Sequence, residues 1–162
     1  MPLIKNGAYA DDNFAAVADD AELPDAPIVV SLARFQKDRA ALLARNTPLG
    51  VRLKSDQSPA ALGEDVSRLS LIVLEFPKFR DGRAFSWARM LRTRLGYAGE
   101  IRATGDFLYD QLAFMTRVGI DAFEVPDKIT LELFHRALGE MRFAYQPAAD
   151  GHKTIRDLRA GR

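Results

Sequence analysis

The sequence contains no cysteine. This absence excludes disulfides, thiolate zinc sites, cysteine-ligated iron–sulfur clusters and cysteine nucleophiles. The two histidines, His135 and His152, are too few and too far apart to predict an imidazole metal site or a catalytic base. We therefore expect no metal and no covalent or cysteine-ligated cofactor.

Long apolar runs are also missing. No stretch approaches the roughly 18 residues that a membrane helix needs, and Met1–Ala10 has no small-residue cleavage pattern of a secretory signal. We expect a cytoplasmic protein without a membrane partner.

Neither sign of charge is in excess, since 23 basic residues balance 22 acidic ones and leave a net charge of +1. No stripe of cations with exposed aromatics stands out, so we expect no nucleic-acid partner. The glycine-rich dinucleotide and phosphate loops and the G-x-S-x-G turn of serine hydrolases do not occur. Three common enzyme classes thus lack their usual local geometry.

What is present suits one globular domain: 162 residues, of which 48% are hydrophobic and 28% charged. We predict a single domain over residues 1–162, with an N-terminal hairpin and linker (1–27), a βα core (28–149) and a flexible tail (150–162). Asn6-Gly7 predicts the two-residue turn of the hairpin. Asp19–Pro27, rich in proline and acids, predicts the linker.

Short apolar runs alternate with helical periodicity from residue 28 onward, which indicates the α/β class. The six predicted strands are 28–32, 50–53, 71–76, 100–103, 122–125 and 142–145. We favour an open, mainly parallel sheet of about five or six strands with helices on both faces. A half-barrel-like βα arc completed by dimerisation is the alternative.

The predicted helices cover 60–69, 83–95, 106–118 and the stretch from Leu131 to Met141. Asp106 is placed to cap the helix that follows it. Gln111 falls on an inward stripe and needs a polar partner. Arg92 falls on the solvent-facing stripe of helix 83–95.

Ligands of parallel α/β sheets bind where the strands end. Arg34 follows the first strand, and the segment after the third strand, 77–83, holds Lys78, Arg80, Asp81 and Arg83. These residues form our predicted ligand-binding set, because guanidinium forks and free helix amides bind carboxylate, sulfite or phosphate. In the competing interpretation, Asp81-Gly82 is only a turn, Arg83 pairs with a nearby acid, and Phe79 and Phe85 pack inward.

Three carboxylates, those of Glu75, Asp106 and Glu124, lie at or near predicted strand ends. If they converged, they could bind magnesium or serve as acid and base. Glu75 and Asp106, with Arg34 or Lys78, are thus the catalytic candidates of an enzyme acting on a small anion.

The chain resembles the bacterial domain-of-unknown-function family DUF934, and F-P-K-F-x-D-G-R at 76–83 is the most specific part of the resemblance. The similar segments are 1–5, 46–53, 74–86, 88–92, 99–106, 110–112 and 119–124. Members are described as oxidoreductases of sulfite reduction because of their association with assimilatory sulfate-reduction genes. The resemblance implies that activity, but a sulfite reductase needs siroheme and an iron–sulfur cluster, which a chain without cysteine cannot ligate.

Three functions remain open on this reading. The first is an accessory protein of sulfite or sulfate reduction, which binds the sulfite-reductase machinery or a small anion at loop 77–83. The second is the small-anion enzyme described above. The third is a structural homodimer whose sheet edge needs a second copy.

Overall fold

Eight strands in one sheet form the framework of the computed structural model, which describes residues 1–140, 148–151 and 154–161. The strands are β1 (Leu3–Lys5), β2 (Ala8–Ala10), β3 (Ala15–Ala16), β4 (Ile28–Ser31), β5 (Leu49–Leu53), β6 (Leu71–Phe76), β7 (Glu100–Gly105) and β8 (Ala122–Glu124). The α-helices are α1 (Leu32–Lys37), α2 (Arg39–Leu43), α3 (Arg83–Thr93), α4 (Leu112–Arg117), α5 (Leu131–Glu140) and α6 (Ile155–Arg159). Two 3-10 segments cover Pro59–Arg68 and Tyr109–Gln111.

The strand order is β2-β1-β8-β7-β6-β5-β4-β3. Strands β3 to β8 pair in parallel, whereas β1 runs antiparallel to both β2 and β8. The carboxyl ends of the parallel strands therefore share one edge, which we call the carboxyl edge.

The sheet is curved into a half-barrel. Strands β2 and β3 occupy opposite ends of the sheet, yet only residues 11–14 connect them. A flat sheet of eight strands would hold its end strands roughly 34 Å apart, whereas the five residue steps from Ala10 to Ala15 reach at most about 18 Å. The connection, which we call the strap (Asp11–Phe14), closes only because the sheet curls.

The main core lies on one face of this sheet. Side chains from alternate strand positions, such as Ile72 and Leu74, pack there against α1 to α5. The opposite face carries a smaller cluster, Val29, Leu71 and Val73, covered by Phe14 of the strap rather than by a helix. The helix-free face is the concave one, because the strap spans it.

These observations confirm the α/β class, the N-terminal hairpin and the half-barrel arc, while the expectation of helices on both faces is wrong for the described residues. Asn6 and Gly7 hold the hairpin turn with φ values of 50° and 78°. The described strands number eight rather than five or six, because β1 and β2 join the main sheet and β3 was not predicted. The predicted strand 142–145 lies outside the described residues.

The helix predicted over 106–118 is shorter and begins differently. A 3-10 turn precedes α4, and the residue that caps this turn is Leu108, whose amide donates to Oε1 of Gln111 at 2.9 Å. Asp106 as the helix cap is therefore wrong. The predicted helix 60–69 is instead a 3-10 segment interrupted at Gly63, where φ is 56°.

Arg92 is anchored rather than solvated. Its guanidinium donates to the carbonyls of Tyr97 and Gly99 at 2.7 Å each and of Gly119 at 3.0 Å, and it pairs with Asp121 at 2.8 Å. The long stem of arginine lets a residue on the outer side of α3 reach the loops at the amino ends of β7 and β8. Burial still raises the pKa of the Asp121 carboxyl, although Arg92 opposes the effect.

Within the part of the chain that the structure describes, no helix combines the length and the apolar character needed to cross a membrane.

Candidate functional site

Loop 77–83 connects β6 to α3 at the carboxyl edge, where the sequence placed the candidate site. Lys78, Phe79 and Arg80 are exposed at its tip. The guanidinium carbon of Arg80 lies 5.3 Å from the centre of the Phe79 ring, a cation–π distance. Neither Lys78 nor Arg80 forms an ion pair with any described residue, so both cations remain available to a partner.

The base of the loop is closed by a pair of its own residues. Arg83 donates to Asp81 through Nε at 2.9 Å and Nη2 at 2.7 Å, and the Arg83 amide donates to Oδ1 of Asp81 at 3.2 Å. Hydrogen bonding from Arg83, and then from the Ser55 hydroxyl, holds the pKa of the Asp81 carboxyl well below its usual range. Asp81 thus occupies both the guanidinium fork and the first amide of α3.

Ser55 connects this loop to the loop after β5. Its hydroxyl accepts from Nη2 of Arg83 at 2.9 Å, and its carbonyl accepts from Nε1 of Trp87 at 2.9 Å. Ser55 is buried, so both bonds are shielded from water. The root of loop 77–83 is therefore fixed, whereas its tip projects outward.

The loop after β7 adds apolar surface beside this tip. Gln111 bridges the two loops, because its Nε2 donates to the Phe79 carbonyl at 2.9 Å while its Oε1 accepts from the Leu108 amide at 2.9 Å. The Phe114 ring lies 5.3 Å from the ring of Phe85, the partly buried aromatic of the first turn of α3. Gln111, for which the sequence required a polar partner, thus holds the two loops together.

Three of the six exposed large apolar side chains found in the described residues belong to the segments that Gln111 joins: Phe79 is 37% exposed, Leu108 41% and Phe114 44%. With the neighbouring cations they form the surface that we call the edge patch, defined as Lys78, Phe79, Arg80, Leu108 and Phe114. Aromatic residues and arginine are enriched in protein interfaces. Of these five residues only Lys78 and Arg80 belong to the predicted ligand-binding set, because the helical periodicity over 106–118 favours an inward position for Leu108 and nothing in the sequence singles out Phe79 or Phe114.

Arg34 lies in α1 instead of a loop. Its guanidinium is bound to the backbone carbonyls of Ala18 and Asp19 and to the carboxylate of Asp38. These partners tie the end of β4 to the segment after β3. Arg34 therefore has a local structural role, and no contact joins it to loop 77–83.

The candidate carboxylates are dispersed. Glu75 lies on the concave face, 3.5 Å from Nη1 of Arg52, whereas Asp106 is exposed in the loop after β7. Glu124 accepts from the Thr104 hydroxyl at 2.7 Å. Among the described residues, no three His, Cys, Asp or Glu side chains converge as a metal site, so the considered convergence of these acids is not found there.

A buried charge cluster on the concave face escaped the sequence analysis. Arg102 of β7 is only 3% exposed and contacts Glu100 and Asp12 at 2.9 Å each and Glu124 at 3.5 Å. Burial opposes its charge, but hydrogen bonds and charge from Asp12 and Glu100 overcome this and raise the pKa of Arg102. One sequence signal could have revealed this cluster. Charged residues such as Arg52 in β5 alternate with apolar ones along a strand, and this alternation indicates that one face of the sheet is not covered by helices.

A cavity of about 400 Å³ lies at the opposite edge of the sheet, between the hairpin turn and α5. Its walls include Gly7, Asp121, Phe123, Phe134 and His135. None of the predicted site residues lines it.

A family model described as "Bacterial protein of unknown function (DUF934)" matches residues 50–156. This range contains all of β5 except Leu49, together with β6 to β8, loop 77–83 and the whole edge patch. No curated protein and no solved structure matches the chain.

Proposed function

The chain belongs to the DUF934 family, and from this premise we propose that it is an accessory protein of assimilatory sulfite or sulfate reduction that binds a partner protein through the edge patch. The partner would be a component of the sulfite-reductase machinery, and the encounter would take place in the cytoplasm. In this role the protein supplies a docking surface and needs no cofactor of its own.

The observation that carries the proposal is the composition of the edge patch. Phe79 and Leu108 expose large apolar side chains in two neighbouring loops, and Phe114 exposes one in α4. Lys78 and Arg80 flank Phe79 and form no ion pair among the described residues. Solvated aromatics next to arginine are costly for a lone protein and favourable when a partner covers them. The Gln111 bridge and the Ser55 contacts fix the loops in advance, which lowers the entropy lost on binding.

A protein partner fits this surface better than a small anion does. An anion at loop 77–83 would use the Arg83 fork and the first amides of α3, but the Asp81 carboxylate already holds both. Displacing it would expose Asp81 beside the incoming negative charge. Lys78 and Arg80 at the exposed tip have no such competitor and point to contact with a larger molecule.

The link to sulfur metabolism rests on the resemblance of the F-P-K-F-x-D-G-R segment to family members associated with sulfate-reduction genes. This segment supplies three of the five residues of the edge patch: Lys78 and Phe79 at specified positions and Arg80 at the unspecified one. The resemblance and the exposed patch thus overlap in loop 77–83.

The test is co-purification of tagged protein from cells that use sulfate as their only sulfur source. Wild-type protein is compared with the double variant Phe79→Ser, Phe114→Ser and with Leu158→Ser, which removes an apolar side chain 53% exposed on α6, outside the patch. Mass spectrometry identifies the bound proteins, and absorbance of the eluate reports any coloured cofactor they carry.

We expect sulfite-reductase or sulfate-reducing subunits to be recovered with wild type and Leu158→Ser and to be lost with the double variant. Circular dichroism checks that all three proteins remain folded. Recovery that is the same for every variant would disprove the assigned surface, and recovery of the protein alone with a bound small molecule would favour the enzyme instead.

A further inference from the structure

The positions of the charged side chains around the edge patch limit the chemistry of the partner that it can bind. Lys78 and Arg80 are exposed at the loop tip, while Asp106 and Asp110 of the neighbouring loop are also exposed. Within the described residues, neither acid pairs with either cation. Lys78 and Arg80 therefore face solvent as two cations without an ion-pair partner among the described residues, although the whole protein carries only +1.

The apolar half of the patch lies next to these cations rather than apart from them. Arg80 rests over the Phe79 ring at 5.3 Å, and the Phe79 carbonyl is tied through Gln111 to the loop that bears Leu108. A ligand that covers the rings must therefore pass within reach of a guanidinium. Burying that guanidinium without a counter-charge is strongly unfavourable, because its hydration is lost without compensation.

From this juxtaposition, and resting on the proposed function, we infer that the edge patch recognises an acidic protein segment that carries a large apolar side chain beside its carboxylates. The apolar side chain packs against Phe79 and Phe114, and the carboxylates accept from Lys78 and Arg80 as charge-assisted hydrogen bonds. A basic segment would meet two unpaired like charges at the same place, which opposes its binding.

Single-stranded nucleic acid, the other polyanion that binds cations and aromatics, fits less well. It requires a track of cations along which successive phosphates can lie. The patch offers two, and the carboxylates of Asp81, Asp106 and Asp110 occur in the same two loops. A discrete acidic segment can place its charges on Lys78 and Arg80 and avoid these acids, whereas a continuous phosphate backbone cannot.

The first test uses a random dodecapeptide library selected on the immobilised full-length protein, with counter-selection on Phe79→Ser, Phe114→Ser. We expect enriched peptides to combine several Asp or Glu residues with Phe, Trp or Leu. Enrichment of basic peptides, or no enrichment beyond the counter-selected variant, overturns the inference. So does binding of an oligothymidylate probe in place of acidic peptides.

The second test measures the affinity of an enriched peptide by fluorescence anisotropy. Lys78→Glu combined with Arg80→Glu should weaken binding by about tenfold or more, and added salt should weaken binding to the wild type. The matched control is Arg89→Glu with Arg94→Glu, which reverses two exposed arginines at α3, outside the patch. Equal loss with both pairs would mean that only net charge matters and would refute specific recognition.

The same charge-reversal pair separates this inference from the proposed function. If co-purification of the sulfur-assimilation partner is lost with Phe79→Ser, Phe114→Ser but survives Lys78→Glu, Arg80→Glu, the docking surface stands and its acidic specificity falls. If light scattering shows a wild-type dimer that the serine variant dissociates, the patch binds a second copy of the chain, and the inference is wrong.

Discussion

Replacing Arg102 by methionine should destabilise the protein by about 3 kcal/mol. Arg102 is 3% exposed on the concave face and is the cation shared by Asp12, Glu100 and Glu124. Methionine fills much of the same space but leaves the carboxylates without that cation, and breaking a buried ion pair from one side costs about 3–5 kcal/mol. Lys5, 2.7 Å from Glu100, remains and moderates the loss.

The strap contact can be isolated with Asp12→Asn. The Asp12 side chain is 44% exposed, so solvent screens its interaction and the single variant should lose only about 0.5–1 kcal/mol. In the Arg102→Met background the same change should cost nothing, because the charge that Asp12 pairs with is gone. The difference between the two backgrounds measures the coupling of strap and sheet.

The assay is urea unfolding followed by the fluorescence of Trp87, the single tryptophan, whose indole is bound to the Ser55 carbonyl. Arg94→Met is the control, since Arg94 is exposed and forms no ion pair in the described part of the chain. It should change the free energy of unfolding by less than about 0.5 kcal/mol. A loss below about 1 kcal/mol for Arg102→Met, or an equal cost of Asp12→Asn in both backgrounds, would refute the reasoning.

Three further changes follow from local geometry. Gly105→Ala should cost about 3 kcal/mol or more in urea unfolding, because φ is +108° and a Cβ would lie 2.3 Å from the Phe76 carbonyl oxygen; Gly139→Ala, with open space in α5, should instead stabilise by about 0.5–1 kcal/mol. Phe14→Ala should cost about 2 kcal/mol, since the half-buried ring covers the concave apolar cluster. Asp81→Asn should lower the melting temperature at neutral pH. The difference in melting temperature from wild type should shrink as pH falls below about 4, because the pKa of the Asp81 carboxyl is lower in the folded protein than in the unfolded chain. A difference that does not shrink at low pH would contradict the role assigned to Asp81.

The sequence located loop 77–83 correctly because a βα junction with four charged residues and one aromatic is a local feature. Each of the two interpretations of this loop holds for a different pair of residues. Asp81 and Arg83 form an ion pair with each other, as the structural interpretation predicts. Lys78 and Arg80 form no ion pair among the described residues, as the ligand-binding interpretation requires. That division depends on side-chain directions, which spacing along the chain does not encode.

The edge patch was only half predictable. Leu108 looks like a core position of a helix over 106–118, because helical periodicity groups it with Leu112, Met115 and Val118, whereas Phe114 falls outside that stripe. The helix begins later, after a 3-10 turn capped at Leu108, which leaves Leu108 41% exposed while Leu112, Met115 and Val118 are buried as the periodicity predicts. Where a helix begins determines which of its side chains are exposed. That boundary depends here on contacts distant in sequence, such as the Gln111 bridge to Phe79.

The α/β class, the hairpin at Asn6-Gly7 and the position of loop 77–83 follow from local sequence, since turn chemistry and hydrophobic period act over a few residues. The curvature of the sheet, the confinement of the helices to one face and the contact of Asp12 in the strap with Arg102 become apparent only in the folded chain. They depend on connectivity across the sheet. Five residue steps join strands at its two ends, and this constraint becomes visible only once the strand order is known.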